Sequence, residues 1–322
     1  MKNIFFFCFL LAFTPAYGQG AFAELVLRNP KVKIKNKHDI YLQSITIDGS
    51  SDIFSTIHHH GVAFESDLVG YRIYFDKRQT IDLYGKYKQR LELKETQFYT
   101  DEEQKQNGYG DDVLWVGNTF GCGALRGWNG KEPTMIEKVK TRTQRIVCPG
   151  PDSVVVEIID EKWKQTPSSI PVTLTERFTL HKGRRDVKID CTFDLDSMTS
   201  VATTSVPRLQ YSTGIINIKG SRELNNHHGL RGCWGTDWPA GSTDTIGKKR
   251  ETVGLGIYVP PIYIKEEFTT TDNYGFVVEP IDGKLTYYIT FCSDNEEFAG
   301  YHSEEAWFDY LNKWLAEIKR RE

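Results

Sequence analysis

The sequence predicts a mostly β protein: two stacked antiparallel sheets in one large domain spanning residues 19–322, ending in a C-terminal α-helix. Three observations predict it. Roughly fifteen short runs of apolar or alternating residues, each bounded by turn residues, read as strands. No helix-period segment separates them, which excludes a parallel α/β fold, because parallel strands need crossover connections. Helical spacing is clear only beyond Ser303.

Taken in chain order, residues 1–18 read as an export signal. Lys2 supplies the positive start, 4–13 the apolar run and Ala16-Tyr17-Gly18 a small-x-small cleavage site. The mature chain is expected to begin near Gln19 and to work in the periplasm or outside the cell. Cys8 is followed by Phe9-Leu10, so no lipoprotein anchor is read, and no later segment approaches the roughly 20 apolar residues that span a bilayer. Residues 23–27, 32–34 and 41–47 are strand-like runs set off by Asn29-Pro30, Asn36-Lys37 and Asp48-Gly49. Residues 57–66 read as a further strand. Residues 69–75 and 80–84 form a hairpin around Asp76-Lys77-Arg78-Gln79. The polar stretch 91–105 suits a helical turn in a long loop that leads to an apolar strand at 113–116. Gly117, Gly121, Gly123, Gly127 and Gly130 then mark a backbone that bends sharply or is closely approached.

Longer strands follow at 137–147, 153–161, 172–181 and 186–195, joined by Pro149-Gly150-Pro151, Pro167-Ser168-Ser169 and Lys182-Gly183-Arg184. Residues 205–211, 215–219, 254–264, 275–280 and 285–291 continue the pattern. In the final helix Ser303-Glu304-Glu305 gives an N-cap and an acidic first turn. Trp307, Tyr310, Leu311, Trp314, Leu315 and Ile318 recur on one face, which is expected to pack on a sheet.

Composition narrows the function classes. The chain has 40 basic and 43 acidic residues with no long basic run, so nucleic acid is not an expected partner. Cys122, Cys148, Cys191, Cys233 and Cys292 are odd in number and show no short C-x-x-C spacing, which argues against a disulfide framework or structural zinc and for buried thiols. With 16 Tyr, 18 Phe and 7 Trp, the chain is rich in aromatic faces, which stack on sugar rings as readily as they fill a core. No phosphate loop, nucleophile elbow or dinucleotide fingerprint is present.

Two clusters carry titratable side chains. In Ile57-His58-His59-His60-Gly61-Val62-Ala63-Phe64-Glu65-Ser66, strand alternation places His58, His60, Val62 and Phe64 on a core face. His59, Gly61, Ala63 and Glu65 take the other, where two small residues leave room for a ligand beside an acid and a base. The plain alternative is a satisfied histidine or two in a β core. The second cluster runs from Asn225 to Pro239 and holds His227, His228, Arg231, Trp234 and Trp238; it reads as a polar loop fit to rim a ligand site, or as a surface loop with anchoring tryptophans. Asp111-Asp112 is either a capping turn or part of a site. No organic cofactor is expected. A divalent metal held by His58 and His60 with Asp111 or His228, or a structural calcium on Asp111, Asp112 and backbone oxygens, is compatible with the residues.

The number of strands in a domain of this length resembles the β-supersandwich of the galactose-mutarotase-like superfamily. Gly275-Phe276-Val277-Val278-Glu279-Pro280 is similar to the segment of that group in which a glutamate at a strand end acts as catalytic base, which implies that role for Glu279. A wider resemblance covers most of the mature chain: His58-His59-His60-Gly61, Phe64-Glu65-Ser66, Tyr71-Arg72-Ile73-Tyr74-Phe75-Asp76, Ile81-Asp82-Leu83-Tyr84-Gly85-Lys86 and Gly108-Tyr109-Gly110-Asp111-Asp112-Val113-Leu114. These strings resemble the domain-of-unknown-function family 4861, exported bacterial proteins often met in polysaccharide-utilisation settings, particularly for pectin and other uronic-acid glycans. The resemblance implies a supersandwich and carbohydrate as substrate class, and it implies no catalytic residues.

Three reactions fit the groups available. Anomeric ring opening or epimerisation needs a base and an acid, which Glu279 and one of His59, His60, His227 or His228 would supply. β-Elimination of a uronide needs a cation for the carboxylate, a base for the C5 proton and an acid for the leaving oxygen; Arg72, Arg126, Arg208 or Arg231 with a histidine and Tyr71 or Tyr109 would serve. Hydrolysis needs two carboxylates, from Asp111, Asp112, Glu65 and Glu279. The leading expectation is an exported enzyme acting on uronic-acid-containing sugars or oligosaccharides by general acid–base chemistry, of mutarotase, epimerase or lyase type. The alternatives are a glycoside hydrolase and a non-catalytic glycan-binding protein.

Overall fold

The computed structural model describes residues 20–28, 35–166, 168–195, 209–241, 248–298 and 300–321. The export signal read at 1–18, the strand read at 32–34, Arg208 and most of the strand read at 205–211 lie outside the described residues.

The largest sheet has nine strands, in the order Arg222–Asn225, Leu230–Asp237, Glu251–Tyr258, Lys284–Ser293, Val187–Leu195, Val172–His181, Ser153–Trp163, Thr141–Pro149 and Ser44–Asp48, every neighbour antiparallel. Strict alternation builds its inner face: Val154, Val156 and Ile158, then Leu174, Phe178 and Leu180, then Val187 and Ile189 are all buried. Opposite lie two five-stranded antiparallel sheets. One runs Ala21–Glu24, Ala63–Ser66, Gly70–Ile73, Ile81–Gly85, Asp111–Asp112; the other runs Pro133–Thr134, Arg126–Trp128, Tyr211–Ile216, Asn273–Val278, Ile264–Thr269. Bridges from Ile81 to Gly121 and from Cys122 to Ile215 link the two. Aromatic contacts close the core between the layers: Phe64 meets Phe178, Tyr71 stands edge-on to Phe291, and Tyr211 meets Phe193 and Trp163. The expected antiparallel β-sandwich is therefore present.

The helix Glu304–Arg321 covers the other face of the large sheet, burying Trp307, Leu311, Trp314, Leu315 and Ile318 against Leu230, Tyr258, Tyr288 and Cys292. Glycines in the strands make room for it. A Cβ on Gly254 would lie 2.7 Å from the Trp307 ring, whose Nε1 donates to the Leu255 carbonyl at 3.1 Å. Gly254→Ala is therefore expected to destabilise the protein by about 1–3 kcal/mol through overpacking, read as a lower denaturant midpoint with unchanged slope.

Several elements differ from expectation. Residues 113–116 form no strand; Val113, Leu114 and Val116 are buried irregular backbone and Trp115 faces outward, 47% exposed. The strand read at 254–264 stops at Tyr258, because Pro260 and Pro261 donate no ladder hydrogen bonds, and a 3-10 turn Pro261–Tyr263 leads into a new strand. Residues 225–239 are not a polar loop: the strands Arg222–Asn225 and Leu230–Asp237 pair as a hairpin with only a short turn between them. The glycine-rich segment behaves as read, since a Cβ on Gly121, at φ 58°, would lie 2.0 Å from the Ile81 carbonyl oxygen. The five cysteines among the described residues are free thiols, four of them buried. No helix among the described residues is long and apolar enough to cross a membrane.

Candidate functional site

The three histidines do not lie on a strand. His58–His60 form a 3-10 turn in which His59 (φ 60°) and His60 (φ 58°) both hold the left-handed conformation, costly for residues with a Cβ. The surroundings enforce it. Gln144 of the large sheet accepts from Val62 N at 2.7 Å and donates to Ile73 O at 3.0 Å, and Phe75 N donates to His60 O at 2.8 Å. Gly61 passes so close to Ile73 that an added Cβ would lie 1.9 Å from its carbonyl oxygen. Each ring then takes a separate partner. His58 Nε2 pairs with Asp39 at 3.0 Å, His59 Nε2 with Glu24 at 2.5 Å, and His60 Nδ1 donates to the Phe54 carbonyl at 2.9 Å. The alternating faces expected for 57–66 are thereby corrected, and so is a shared His58–His60 metal face. Among the described residues no three His, Cys, Asp or Glu side chains are grouped to hold a metal ion.

Beside this turn lies a buried ionic cluster centred on Arg72. Pairing across the sheet puts Arg72 opposite both Ala63 and Asp82. Its Nε donates to Asp82 Oδ2 at 2.7 Å, and Nη2 reaches Asp82 Oδ2 at 2.5 Å, Asp112 Oδ2 at 3.0 Å and the Tyr99 hydroxyl at 3.1 Å. The guanidinium lies 3.8 Å from the Phe98 ring centre, and the Tyr74 hydroxyl donates to Asp82 at 3.0 Å. Tyr74 and Arg72 share a face through their i, i+2 spacing. Lys35 binds Glu24 and the Leu93 carbonyl and closes the cluster at the His59 end.

Glu65, read beside His59 on a ligand-facing surface, is instead fully buried. It binds Lys86 and accepts from the backbone of Glu92 and Leu93, which pins the loop that carries Phe98 and Tyr99. Glu92 accepts from the Tyr84 hydroxyl and from Gly110 N, both at 2.8 Å. Asp111 points away from Asp112, accepting from Thr100 N at 3.1 Å and pairing with Lys105 at 3.2 Å. Tyr109 bonds to Glu95 under the Arg90 guanidinium, 3.8 Å from its ring centre. These groups position the loop rather than line the cluster.

Environment sets the protonation states. Burial, then the nearby Arg72 charge, pushes His60 down to about 4. Burial pushes His59 down to about 4 as well, against the pull of Glu24. Burial would raise Glu24, but hydrogen bonds and charges from His59 and Lys35 outweigh it and leave the carboxyl low. Asp112 is driven well above the carboxylate range by burial and by the charge of Asp82. Tyr99 is raised by burial and by Asp112, so its hydroxyl stays protonated. The consequence at neutral pH is a neutral His60 whose proton sits on Nδ1, facing the Phe54 carbonyl. Its Nε2 lone pair carries no hydrogen bond among the described residues, and the ring is half-buried, stacked on Phe54 at 3.9 Å and edge-on to Tyr74. Arg78, which pairs with Asp76 at 2.5 Å, lies over Phe54 and Tyr74 at 4.7 and 4.8 Å, and Lys248 lies 5.3 Å from the centre of the Tyr99 ring, which is 42% exposed.

The remaining candidates lie elsewhere. Tyr71 is buried with its hydroxyl on the Arg185 carbonyl. Arg126 is buried, donating to Thr80 Oγ1 at 2.9 Å and Thr119 O at 3.1 Å, and burial pushes it down to about 10. It faces Glu176, which burial and Asp160 push up to about 8. Arg231 ties its own hairpin to Glu223 and to the carbonyls of Phe268 and Gly275. Trp234 packs beneath the C-terminal helix, and His227 and His228 stand exposed on the hairpin turn, with His227 3.2 Å from Glu267. Glu279 follows a strand end, as read, and pairs with Lys265 at 3.3 Å on the wall of a separate cavity of about 690 Å³. His59, His60, Arg72 and Asp112 are thus brought together, and His227, His228, Arg231, Trp234 and Glu279 are not among them. Glu24, Asp82, Tyr74 and Tyr99 were missed. Only Tyr74 had a legible signal, its spacing from Arg72. The carboxylates read for hydrolysis each take a separate cation: Asp111 pairs with Lys105, Asp112 with Arg72, Glu65 with Lys86 and Glu279 with Lys265.

By fold the protein is an antiparallel β-sandwich with one C-terminal helix, and its polar cluster lies on the sheet begun by Ala21–Glu24. Within that class the chain belongs to the family described as a domain of unknown function (DUF4861), whose model matches residues 12–321. No curated protein matches the chain.

Proposed function

We propose that the protein is an exported carbohydrate-active enzyme that removes the C5 proton of a uronic-acid residue, with His60 as base. The reading rests on His60, a half-buried neutral imidazole whose tautomer is fixed by the Phe54 carbonyl and whose other nitrogen carries no hydrogen bond among the described residues. A uronate supplies the matching chemistry, because its C5–H is acidified when a cation neutralises the adjacent carboxylate, a role that falls to Arg78 on exchanging its present partner Asp76 for the sugar. His60 Nε2 takes the C5 proton and the electron pair forms the C4–C5 double bond. The C4–O bond breaks, and Tyr99 gives its proton to the departing oxygen while Arg72 Nη2 steadies the phenolate. Proton return from His60 to Tyr99 through solvent resets the site. Reprotonation of C5 on the opposite face, without loss of the C4 oxygen, gives epimerisation from the same first step. The galactose-mutarotase-like resemblance and the polysaccharide-utilisation setting belong to the same reading.

The test is proton NMR of pectic and other uronic-acid oligosaccharides in D2O with and without the protein, following vinylic protons, C5 exchange, anomeric exchange and new reducing ends together. Vinylic gain or C5 exchange supports the reading; new ends alone mean hydrolysis, anomeric exchange alone means mutarotation, and no change overturns it. The pH profile is a second check. Because the free base is needed and its proton is lost at about 4, kcat/KM should rise through that value and lie flat from about 5 to 8. An acid limb near the ordinary histidine value would contradict the assignment.

A further inference from the structure

Three residues from Asp112, Trp115 forms one wall of a cavity of about 700 Å³, a volume typical of ligand sites, and none of its lining residues belongs to the Arg72 cluster. Trp115 is 47% exposed; its backbone N donates to the Trp238 carbonyl at 2.9 Å, and Gly241 packs so near that an added Cβ would lie 3.3 Å from the indole. An aromatic face left open to solvent is a platform for the C–H face of a pyranose. The other walls carry polar groups suited to sugar hydroxyls. Among the described residues the Asn118 amide, the Lys219 ammonium and the Asp272 carboxylate hold no hydrogen bond or ion pair. Asp237 spends one carboxylate oxygen on Trp238 N at 2.8 Å, and Asn217 donates to Thr270 O at 2.8 Å. Two carboxylates against one ammonium favour an uncharged ring over a second uronate. Trp115 follows Asp112 by three residues, so their Cα atoms are at most about 11 Å apart, which bounds the distance from this wall of the cavity to the Arg72 cluster.

We propose that this cavity is a sugar-binding subsite for a neutral pyranose of the same glycan whose uronate meets the Arg72 cluster and His60. The inference rests on the proposed uronate chemistry for its direction along the chain, and it makes the substrate an oligosaccharide of mixed neutral and acidic sugars rather than a free monosaccharide.

The test uses a tetrasaccharide alternating galacturonate and rhamnose as probe, with binding read by calorimetric titration and turnover by vinylic absorbance and by C5 exchange in D2O, on the full protein and on Trp115→Ala, Asn118→Ala and His60→Ala. Trp115→Ala should weaken binding about tenfold and raise KM with little change in kcat, Asn118→Ala should weaken binding less, and His60→Ala should bind normally. Tetrasaccharide that binds in a Trp115-dependent way without turnover would uphold the subsite and overturn the uronate chemistry. Turnover with binding indifferent to Trp115 and Asn118 would overturn the subsite and uphold the chemistry, and a probe that does not bind at all would overturn both.

Discussion

His60→Ala should lower turnover of a uronic-acid oligosaccharide by about 10²–10⁴-fold, the range expected when a positioned general base is lost. Binding should survive, because the imidazole is only half-buried and its one hydrogen bond is to the Phe54 carbonyl. A kcat loss with KM nearly unchanged marks a group that acts in the proton-transfer step. His59→Ala makes the contrast. Its ring is buried, its Nδ1 has no partner among the described residues, and its Nε2 is committed to Glu24. That change should cost stability first and turnover only through it. Equal kinetic losses for the two variants, at equal stability, would remove the reason for choosing His60.

Arg72→Met should destabilise the fold by about 3–5 kcal/mol, because it leaves buried carboxylate charge without its counter-ion. Asp82 suffers most, since it takes Nε and Nη2 of Arg72 together with the Tyr74 hydroxyl. Asp112 is already driven towards its neutral form by burial and by Asp82. Asp112→Asn should therefore cost less than Asp82→Asn, and Asp82→Asn should recover part of the loss when combined with Arg72→Met. Denaturant unfolding of the four variants reads both statements. An Arg72→Met midpoint equal to that of the unaltered protein would mean that the cluster does not hold these strands together.

Much of the architecture was legible because its signals are local. Residues 172–181 alternate at every position but Glu176 and are bounded by proline and glycine turns, and the strand Val172–His181 has those limits. Residues 69–84 pair as the expected hairpin, and the helical stripe from Trp307 to Ile318 lies buried where its spacing placed it. The site was less legible because its geometry is not local. Two consecutive left-handed histidines are a conformation that alternation does not suggest, and they are sustained by Gln144, which is 82 residues from the Val62 amide it holds. The partner that fixes His59 lies 35 residues away at Glu24, and the one that fixes His58 lies 19 residues away at Asp39. Arg72 and Asp112 stood out as titratable residues, but their contact needs the loop that Glu65 and Glu92 tie down. The tryptophans misled in a similar way: Trp234 alternates into a helix-covered face, whereas Trp115, in a run that read as buried strand, is the exposed one.

The central claim is that His60 is a neutral imidazole, protonated on Nδ1 and bare on Nε2, throughout the working pH range. Nitrogen-15 NMR of the histidine rings, assigned by comparison with His60→Ala and titrated from about pH 3 to 8, measures both properties at once. The account predicts an Nδ1–H tautomer for His60 that takes up its second proton only near 4. A ring that titrates near the ordinary histidine value, or that carries its neutral proton on Nε2, would contradict it.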